Sequence, residues 1–475
     1  MKLSIAYLND VHGYMEPHPE VFFNAENRDI KTAGGYSRIY SMIKRIRKQN
    51  PNTLVFDGGD TFHGTLPLVE SKGEAIIPVL NKIGFNAMAG HWDFAYGPDQ
   101  LLNLNNQLSY PVLGINVYGT EGKLFLKPYI IVEVENIKIA VIGICSNIID
   151  KTMPERFSKG LKITEGTEEL PKYIEEVKGK GANLVFLLSH NGYPQDVKML
   201  SGIKGIDVCL SAHTHNRLFE PTMVSGTILI QCGCHGSFLG HLQLEISDNR
   251  IQNHQYELIP VSESVEPDKE MDEMIAVIMK PYRDLQAETI GQTGILLDRY
   301  NTLNSSMDDL LLHAIKDVAS AELAFSNGWR YGVPIPPGPI SKWDLFNIIP
   351  MNPPVSIVKL TGSEILNMLE ENLERTFSAD PMKQMGGYVK RCMGLTAYIR
   401  IENPKEHRIQ DIYIGKERLK SDKIYKAAFV TQQGVPANSG ANRIDLPFTV
   451  VEALTHFLRK SNPYHPDMSQ VFSLI

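Results

Sequence analysis

The chain has 475 residues, a formal net charge of −7 and a hydrophobic fraction of 43%, which is ordinary for a globular protein. At roughly 100–200 residues per domain, this length predicts two or three domains, each with its own core. The negative charge argues against a surface that coats nucleic acid, and no apolar run approaches the ~20 residues that a membrane span needs. We therefore expect neither a nucleic-acid partner nor a membrane-spanning segment.

The first residues, MKLSIAYLND, enter a strand-like apolar run at once and leave no room for a cleavable signal. As written, the chain is therefore expected to be cytoplasmic, whereas a chain whose leader has been removed would be periplasmic or exported. The five cysteines do not form a disulfide framework. Cys232 and Cys234 are interpreted as two small strand residues, because no second cysteine pair accompanies them as in a metal site.

Up to about residue 255, strands alternate with helices. The predicted strands lie in KLSIAYL, TLVFDGGD, IAVIGIC, ANLVFLLSH, VCLSAH and TILIQCG. Amphipathic helices are predicted in GYSRIYSMIKRIRKQN and in EAIIPVLNKIG, and GHLQLEI alternates like an edge strand. This order predicts a layered α/β domain over residues 1–255, in which ligands gather at the carboxyl ends of the strands.

The second half of the chain has a different pattern. Residues 256–292 are charged with helical periodicity that Pro281 interrupts, so they predict a connecting helix. A second domain is expected over residues 293–475, with a helix in SSMDDLLLHAIKDVAS, a Pro/Gly-rich stretch in YGVPIPPGPIS, and mixed strands and helices after them.

Side chains that can bind metal follow five successive strands of the first domain. These strand ends are Asn9–His12, Asp57–Asp60, Gly90–His91, Ser189–Asn191 and His213–His215. A single histidine at a strand end is usually structural, but five such ends at one edge of a fold favour a shared site. Mixed nitrogen and oxygen ligands suit a divalent transition metal such as manganese, iron or zinc.

A carboxylate at this edge could bridge two ions through its two oxygens. The flexible Gly58 and Gly59 would let the backbone come close to them. Two ions about 3.5–4 Å apart can hold a water as hydroxide and polarise the oxygens of an ester under attack. The pattern therefore indicates a hydrolytic metal centre.

In this order, DVH, GGDTFHGT, GH, SHNG and AHTH resemble the five motifs of the calcineurin-like metallophosphoesterases. The segments 326–332 and 337–374 resemble the C-terminal domain of 5′-nucleotidases. The resemblance implies an N-terminal four-layer α/β sandwich, a C-terminal α+β substrate domain and a helix that joins them. It also implies two divalent ions, with manganese favoured over zinc or iron. It implies seven ligands: Asp10, His12 and His215 at site one, His91, His190 and His213 at site two, and Asp60 as the bridge.

Residues 86–97, NAMAGHWDFAYG, depart from the 5′-nucleotidase motif Gly-Asn-His-Glu-Phe-Asp. His91 replaces the asparagine ligand and can still bind a metal. Trp92 and Ala95 replace the histidine and the aspartate of the dyad that protonates the leaving group in that family. An indole is a donor only and cannot supply this proton. A general acid contributes ~10²–10⁴-fold, so its loss matters least where the leaving group needs no proton.

The altered motif resembles that of the Sox-type thiosulfohydrolases, relatives of the 5′-nucleotidases that release sulfate from a cysteine-bound thiosulfonate. The segments SNGWRYG and DPMKQMGGYVKRCMGLTAYIRI resemble the same group. A sulfur leaving group departs at low pKa, which fits the missing acid. The aromatic pair that holds a nucleobase in nucleotidases would fall near Val389, where Tyr388 is one candidate, and in the loop 431–443, which has no aromatic residue.

Arg330 and Arg391 are candidate anion clamps, because a guanidinium matches the oxygens of sulfate or phosphate. The alternative for each is a surface salt bridge. Trp92 is either a pocket wall that stacks on the substrate or part of the packed core. Three further histidines lie near the motifs: His63, His235 and His241. All three are interpreted as residues that support the site or the fold, and His63 is the one most expected to have a direct role instead.

The leading hypothesis is a two-metal hydrolase that releases sulfate from an S-sulfonate. Its substrate would be a small anion or a thiosulfonate on a cysteine of a carrier protein. The first alternative is a 5′-nucleotidase or broad phosphomonoesterase whose acid is water or His63. The second is a non-catalytic module that binds an anion or a protein, although seven metal-binding side chains argue against it. The sequence leaves the oligomeric state open.

Overall fold

The computed structural model describes residues 1–475 apart from 24–27 and 467–470. The chain divides into two compact units, Met1–Lys280 and Pro281–Ile475. The division falls inside the predicted linker 256–292, whose first residues belong to a strand that ends at Pro260. Within the described ranges, every helix is too short or too polar to cross a bilayer.

The first unit contains strands and helices in alternation. Its strands are β1 (Lys2–Leu8), β2 (His18–Phe23), β3 (Arg28–Ala33), β4 (Thr53–Asp57), β5 (Ala87–Met88), β6 (Val117–Tyr118), β7 (Tyr129–Val134), β8 (Ile137–Ile144), β9 (Lys162–Ile163), β10 (Leu184–Ser189), β11 (Val208–Ser211), β12 (Thr222–Val224), β13 (Thr227–Ile230), β14 (Phe238–Ser247) and β15 (Arg250–Pro260). Its helices are α1 (Tyr36–Gln49), α2 (Leu66–Glu70), α3 (Ile77–Ile83), α4 (Pro98–Gln107), α5 (Ile149–Thr152), α6 (Leu170–Gly179), α7 (Tyr193–Gly202) and α8 (Lys269–Met279).

Two sheets form the centre of the first unit. One has the strand order β15-β14-β1-β4-β5, and the other has the order β12-β13-β11-β10-β8-β7. Buried side chains of both sheets share one core, in which Tyr7 and Phe56 of the first sheet pack with Phe186 and Val208 of the second. Removing this apolar surface from water contributes roughly 25 cal/mol per Å² and stabilises the sandwich.

Helices cover the outer faces of these sheets. Ile174 of α6 and Leu200 of α7 pack with Ile142 and Leu187 of the six-stranded sheet. On the other side, α1 lies against β1 through its apolar face, which includes Ile39. The resulting helix–sheet–sheet–helix arrangement confirms the predicted four-layer α/β sandwich.

Parallel pairing brings the polar strand ends to common edges. In the first sheet, β1 pairs in parallel with β4 and β4 with β5. In the second sheet, β8 pairs in parallel with β10 and β10 with β11. Since parallel strands end on the same side of a sheet, the segments that follow β1, β4, β5, β10 and β11 can reach one another.

The prediction of an edge strand at GHLQLEI is wrong, because β14 lies between β15 and β1. Along this strand, Leu242 and Leu244 are buried, whereas Gln243 and Glu245 are exposed. An antiparallel strand with one solvated face alternates in this way whether or not it is at an edge.

The second unit also mixes strands and helices, as predicted. Its strands are β16 (Thr289–Thr293), β17 (Leu323–Ser326), β18 (Gly338–Ser341), β19 (Pro354–Thr361), β20 (Arg391–Met393), β21 (Leu395–Ile399), β22 (Ile409–Ile414), β23 (Glu417–Arg418), β24 (Ile424–Phe429), β25 (Ala441–Thr449) and β26 (Phe472–Leu474). Its helices are α9 (Arg283–Ala287), α10 (Ser306–Ala319), α11 (Lys342–Ile348), α12 (Gly362–Phe377), α13 (Thr431–Gly434) and α14 (Val450–Lys460). Its larger sheets have the orders β20-β17-β24-β19-β25 and β23-β22-β21-β26.

Asp93 joins the two loops that follow β4 and β5. Its carboxylate is buried, and Oδ2 accepts hydrogen bonds from the backbone N–H groups of Asp60 (2.9 Å) and His91 (3.1 Å). Oδ1 accepts hydrogen bonds from the N–H groups of Thr61 (2.9 Å) and Phe62 (3.0 Å). Burial raises the pKa of Asp93, and the nearby charge of Asp60 raises it further. One side chain therefore sets the distance between two of the polar strand ends.

We expect Asp93→Asn to lower the stability of the first unit by about 2–4 kcal/mol, because an amide presents N–H groups where two backbone donors need an acceptor. Calorimetry should then show a fall of about 5–10 °C in the unfolding midpoint of this unit. Asp99→Asn, at an exposed position in the first turn of α4, is the control and should cost at most about 1 kcal/mol. Equal midpoints for Asp93→Asn and the unmodified chain would contradict this account of the loops.

Candidate metal centre

The structure brings all seven predicted ligands together in the first unit. One group contains Asp10, His12, Asp60 and His215, with one potential ligand atom of each residue within 4.8 Å of the others. A second group, defined by the same distance, contains Asp60, His91, His190 and His213. Asp60 belongs to both groups, as the predicted bridging role requires.

The carboxylate of Asp60 lies between imidazoles of the two groups. Its Oδ2 is 3.6 Å from His12 Nε2 and 3.4 Å from His190 Nε2, and its Oδ1 is 3.4 Å from His91 Nδ1. At site one, His215 Nε2 is 3.3 Å from His12 Nε2. Ligand atoms about 2.1 Å from a common ion lie about 3.0–3.5 Å apart, so these separations fit shared coordination.

The backbone at the ligands is strained in a consistent way. Left-handed φ angles, which range from 52° to 74°, occur at Asp10, His12, Asp60, His213 and His215. Non-glycine residues adopt this region at a cost of about 1–3 kcal/mol each, and such residues cluster at functional sites. The break in the strand pleat turns each side chain out of its sheet and toward the shared edge.

Hydrogen bonds hold several ligands in place. His190 Nδ1 lies 2.6 Å from the carbonyl oxygen of Gly58, which makes Nδ1 the donor and leaves Nε2 to face Asp60. The backbone N–H of Trp92 donates to Asp60 Oδ1 at 2.7 Å. The backbone N–H of His213 donates to Asp10 Oδ2 at 2.9 Å. These contacts position the ligand atoms before any ion binds.

Charge and burial act in opposite directions at the ligands. Burial alone would raise the pKa of Asp60, but the imidazoles of His190 and His91 hold it well below its usual range. Burial lowers the pKa of His12 to about 3, so its imidazole is neutral near pH 7. Burial also opposes charge on His190, but the carboxylates of Asp60 and Asp10 raise its pKa to about 10.

The donor set fits a pair of divalent ions. Both ring nitrogens of His91 and Nε2 of His190 are buried and make no hydrogen bond to any described residue. A buried polar atom left in this state costs about 1–3 kcal/mol, and metal coordination removes that cost. Imidazole and carboxylate donors suit manganese, iron and zinc alike, so this set does not select one metal.

Trp92 is partly exposed and forms part of a ring stack beside the metal ligands. Its indole stacks on His63, with ring centroids 4.8 Å apart and an angle of 25° between the planes. Phe157 meets the indole edge-on at 5.9 Å. His63 is fully buried, and burial lowers its pKa to about 4. Ala95 is buried as well, so the positions of the missing dyad hold an indole and a methyl group.

The two predicted anion clamps belong to the second unit. Arg391 is buried, and its Nε lies 3.2 Å from Asp308 Oδ2. Its two Nη atoms donate hydrogen bonds to the carbonyl oxygens of Asn301 (2.8 Å) and Thr302 (3.1 Å). The expected alternative of a salt bridge therefore exists, but in the interior rather than at the surface. Arg330 is partly exposed. The anion-binding role of both arginines stays a prediction.

His241 and His235 belong to neither metal group. His241 is half-buried on β14, where its Nε2 lies 3.5 Å from Ser4 Oγ. His235 is fully buried between site one and Glu20. The roles of Asp93 and Glu20 cannot be recognised from sequence patterns, because their partners are backbone groups or residues distant in the chain.

The fold is similar to two solved structures from Thermus thermophilus. The sulfate thiohydrolase SoxB, in complex with glycerol, has a TM-score of 0.94 and 24% sequence identity, and the match covers 100% of this chain and 96% of SoxB. The 5′-nucleotidase precursor has a TM-score of 0.88 and 21% identity, over 100% of this chain and 99% of its own. At these identities the similarity establishes the fold alone.

Among curated relatives, the trifunctional nucleotide phosphoesterase YfkN of Bacillus subtilis is 22% identical over 90% of this chain and 31% of its own length. The chain thus spans about a third of that relative. Residues 3–217 match the calcineurin-like phosphoesterase family, and residues 286–431 match the 5′-nucleotidase C-terminal domain. The chain therefore contains a domain of the calcineurin-like phosphoesterase family, whose members are metal-dependent hydrolases, followed by a C-terminal domain of the 5′-nucleotidase type.

Proposed function

We propose that this protein is a two-metal hydrolase that releases sulfate from an S-sulfonate. The shared position of Asp60 in two ligand groups is the observation that supports the metal chemistry. When bound, a pair of divalent ions supplies the Lewis acidity and the activation of water on which such hydrolyses depend. The chain's own contribution is to fix the ligands in a buried, strained and hydrogen-bonded frame. Manganese is the proposed metal.

The choice of a sulfur leaving group depends on the surroundings of Trp92. Neither the indole of Trp92 nor the methyl group of Ala95 can supply a proton. His63, the other candidate acid, is fully buried and stacks on Trp92. A low pKa near 4 also leaves its imidazole without an extra proton at neutral pH. A substrate whose leaving group departs as a stable thiolate or sulfur anion needs no such donor.

The second unit offers little for a nucleobase. Tyr388, the candidate ring near Val389, already has the guanidinium groups of Arg330 and Arg391 over it, at 4.8 and 5.5 Å from the ring centroid. Its neighbour Val389 is fully buried, and the loop 431–443 contains no aromatic residue. Stacking contributes about 1–3 kcal/mol per base, so a pocket without a clamp binds nucleotides weakly. We therefore favour a small S-sulfonate or a cysteine-bound thiosulfonate on a carrier protein.

The main alternative is a 5′-nucleotidase or broad phosphomonoesterase. Relatives with nucleotidase names support it, since one solved structure of similar fold is a 5′-nucleotidase precursor and YfkN is a nucleotide phosphoesterase. SoxB, whose name is that of a sulfate thiohydrolase, supports the leading proposal to a similar degree. A non-catalytic binding module is the least favoured alternative, because it gives no reason for two ligand groups that share a carboxylate.

A substrate panel tests the proposal directly. With added Mn²⁺, we expect sulfate release from S-sulfocysteine or an S-sulfonated peptide to exceed phosphate release from AMP by at least about tenfold in kcat/KM, a difference of about 1.4 kcal/mol in transition-state stabilisation. Ion chromatography measures the sulfate and a colorimetric assay the phosphate. Turnover of AMP at about 1 s⁻¹ or faster, with S-sulfonates left intact, would support the nucleotidase alternative instead.

The absence of an acid also predicts a steep dependence on the leaving group. For any residual phosphatase activity, p-nitrophenyl phosphate should be hydrolysed about 10²–10⁴-fold faster than AMP, since p-nitrophenolate departs without a proton. The double variant Trp92→His with Ala95→Asp supplies the residues of the nucleotidase dyad. It should reduce the ratio between the hydrolysis rates of p-nitrophenyl phosphate and AMP. Similar rates for both esters in the unmodified chain would show that another group donates the proton.

Metal analysis separates the enzyme from the binding module. The unmodified chain, dialysed against Mn²⁺, should contain two ions per chain by elemental analysis, as the two ligand groups require. Asp60→Asn removes the shared carboxylate and should reduce the content to at most one ion, with a loss of at least about 10²-fold in activity. His254→Asn, on β15, is the control and should leave both values unchanged. Fewer than one ion in the unmodified chain would favour the binding module.

A further inference from the structure

His235 and Glu20 form a buried pair next to site one. His235 follows β13 and has a left-handed φ of 59°, although it carries a bulky side chain. Its ring is fully buried, and its backbone N–H donates to the carbonyl oxygen of Asp10 at 2.8 Å. The ring centroid lies 6.3 Å from that of His12 and 6.2 Å from that of His215. His235 therefore borders two of the site-one ligands.

The distances exclude His235 from the ligand set itself. His12 and His215, which share site one, have ring centroids 5.3 Å apart, and His91 and His213 of site two are 4.7 Å apart. The rings of His12 and His215 lie about an ångström or more farther from His235 than the members of these pairs lie from each other. His235 is also absent from both groups whose donor atoms lie within 4.8 Å of one another. His235 therefore lies beside two predicted ligands without being one of them.

Glu20 fixes the imidazole of His235. The carboxylate is fully buried, and its Oε2 lies 3.6 Å from His235 Nδ1. Its oxygens also accept hydrogen bonds from Arg217 Nη2 (2.9 Å), Ser237 Oγ (2.6 Å) and the backbone N–H of Val21 (2.7 Å). Although burial raises the pKa of Glu20, the contacts with His235 and Arg217 hold it far below its usual range. The ionised carboxylate 3.6 Å from Nδ1 favours the proton on this nitrogen rather than on Nε2, and Cys234 Sγ lies 3.5 Å from the same Nδ1.

The remaining ring nitrogen of His235 is then an acceptor. Nε2 is buried, and no described residue forms a hydrogen bond with it. A buried acceptor in this state costs about 1–3 kcal/mol, and native proteins satisfy nearly all such atoms with protein groups, ordered water or ligands. Because the Glu20 contact occupies the Nδ1 edge of the ring, the acceptor lies at a different edge. The rings of His215 and His12 border the imidazole at 6.2 and 6.3 Å between centroids, and those of Tyr14 and His18 pack on it at 5.0 and 5.9 Å.

We infer that His235 accepts a hydrogen bond from a water held at site one, and that Glu20 is the positioning residue for this contact. The inference rests on the metal binding in the proposed function but is independent of the choice between sulfur and phosphorus substrates. It assigns a role to the β2 strand, which carries Glu20 and lies outside the five metal-binding motifs.

Calorimetric titration of the metal-free full chain with Mn²⁺ tests this role without measuring turnover. His235→Phe keeps a planar ring but has no acceptor. It should lower the affinity for one of the two Mn²⁺ ions about 10–100-fold, the usual effect of removing a hydrogen bond to a group that supports a metal site. His235→Gln keeps an acceptor oxygen and should lose less of this affinity. His254→Phe is the matched control on β15 and should leave both affinities unchanged.

Glu20→Gln tests the positioning role and remains informative if His235→Phe does not fold. Alone, Glu20→Gln should lower the affinity for the same ion as His235→Phe does. Combined with His235→Phe, it should cause little further loss of affinity, because Glu20 acts on the metal site through His235. Full additivity would show that Glu20 acts independently and would overturn its assignment. The unfolding midpoint of each variant is measured to confirm that it folds.

The possible failures can be told apart. If the unmodified chain binds two ions and His235→Phe binds both with unchanged affinity, the inference about His235 is wrong and the proposed function stands. If the unmodified chain binds no Mn²⁺, the proposed function itself fails. A substrate-panel result in favour of phosphate would change the reaction but leave the role of His235 intact, since the titration contains no substrate.

Discussion

The first unit depends on one constraint: the Asp60 carboxylate must lie between imidazoles that come from four other strand ends. Parallel pairing within each sheet aligns these ends, and the core between the sheets fixes the distance between the two edges. The left-handed φ of 58° at Asp60 turns its side chain into this gap. Core packing, strained turns and buried hydrogen bonds therefore position the same few atoms, and a change in any of them displaces the carboxylate oxygens of Asp60.

Much of this arrangement follows from the sequence, because each strand end carries its ligands within a few residues of a recognisable apolar run. His12, His190 and His215 could be assigned in this way. Asp93 could not, since its role appears only when loops about 30 residues apart meet, and Glu20 contacts His235 and Ser237 from more than 200 residues away. The alternative to an anion clamp at Arg391 is a surface salt bridge, since charged residues usually lie at the surface, but Arg391 is buried, and Asp308 and two carbonyl groups compensate its burial.

The chemistry on the two sides of the metal centre differs. On the side of Trp92, stacked rings and the methyl group of Ala95 replace groups that could move a proton. On the side of His235, a buried carboxylate orients an imidazole whose second nitrogen is an acceptor. Among the described residues, the frame thus has a buried imidazole nitrogen near site one, and an indole and a methyl group at the two positions of the missing dyad.

All seven ligands lie between Asp10 and His215, whereas the chain has a second unit with its own core from Pro281 onward. A substitution inside the second core therefore leaves every coordinating atom on an intact scaffold. Changes in the second core can accordingly accumulate without moving a coordinating atom, so the two halves of the gene can vary at different rates.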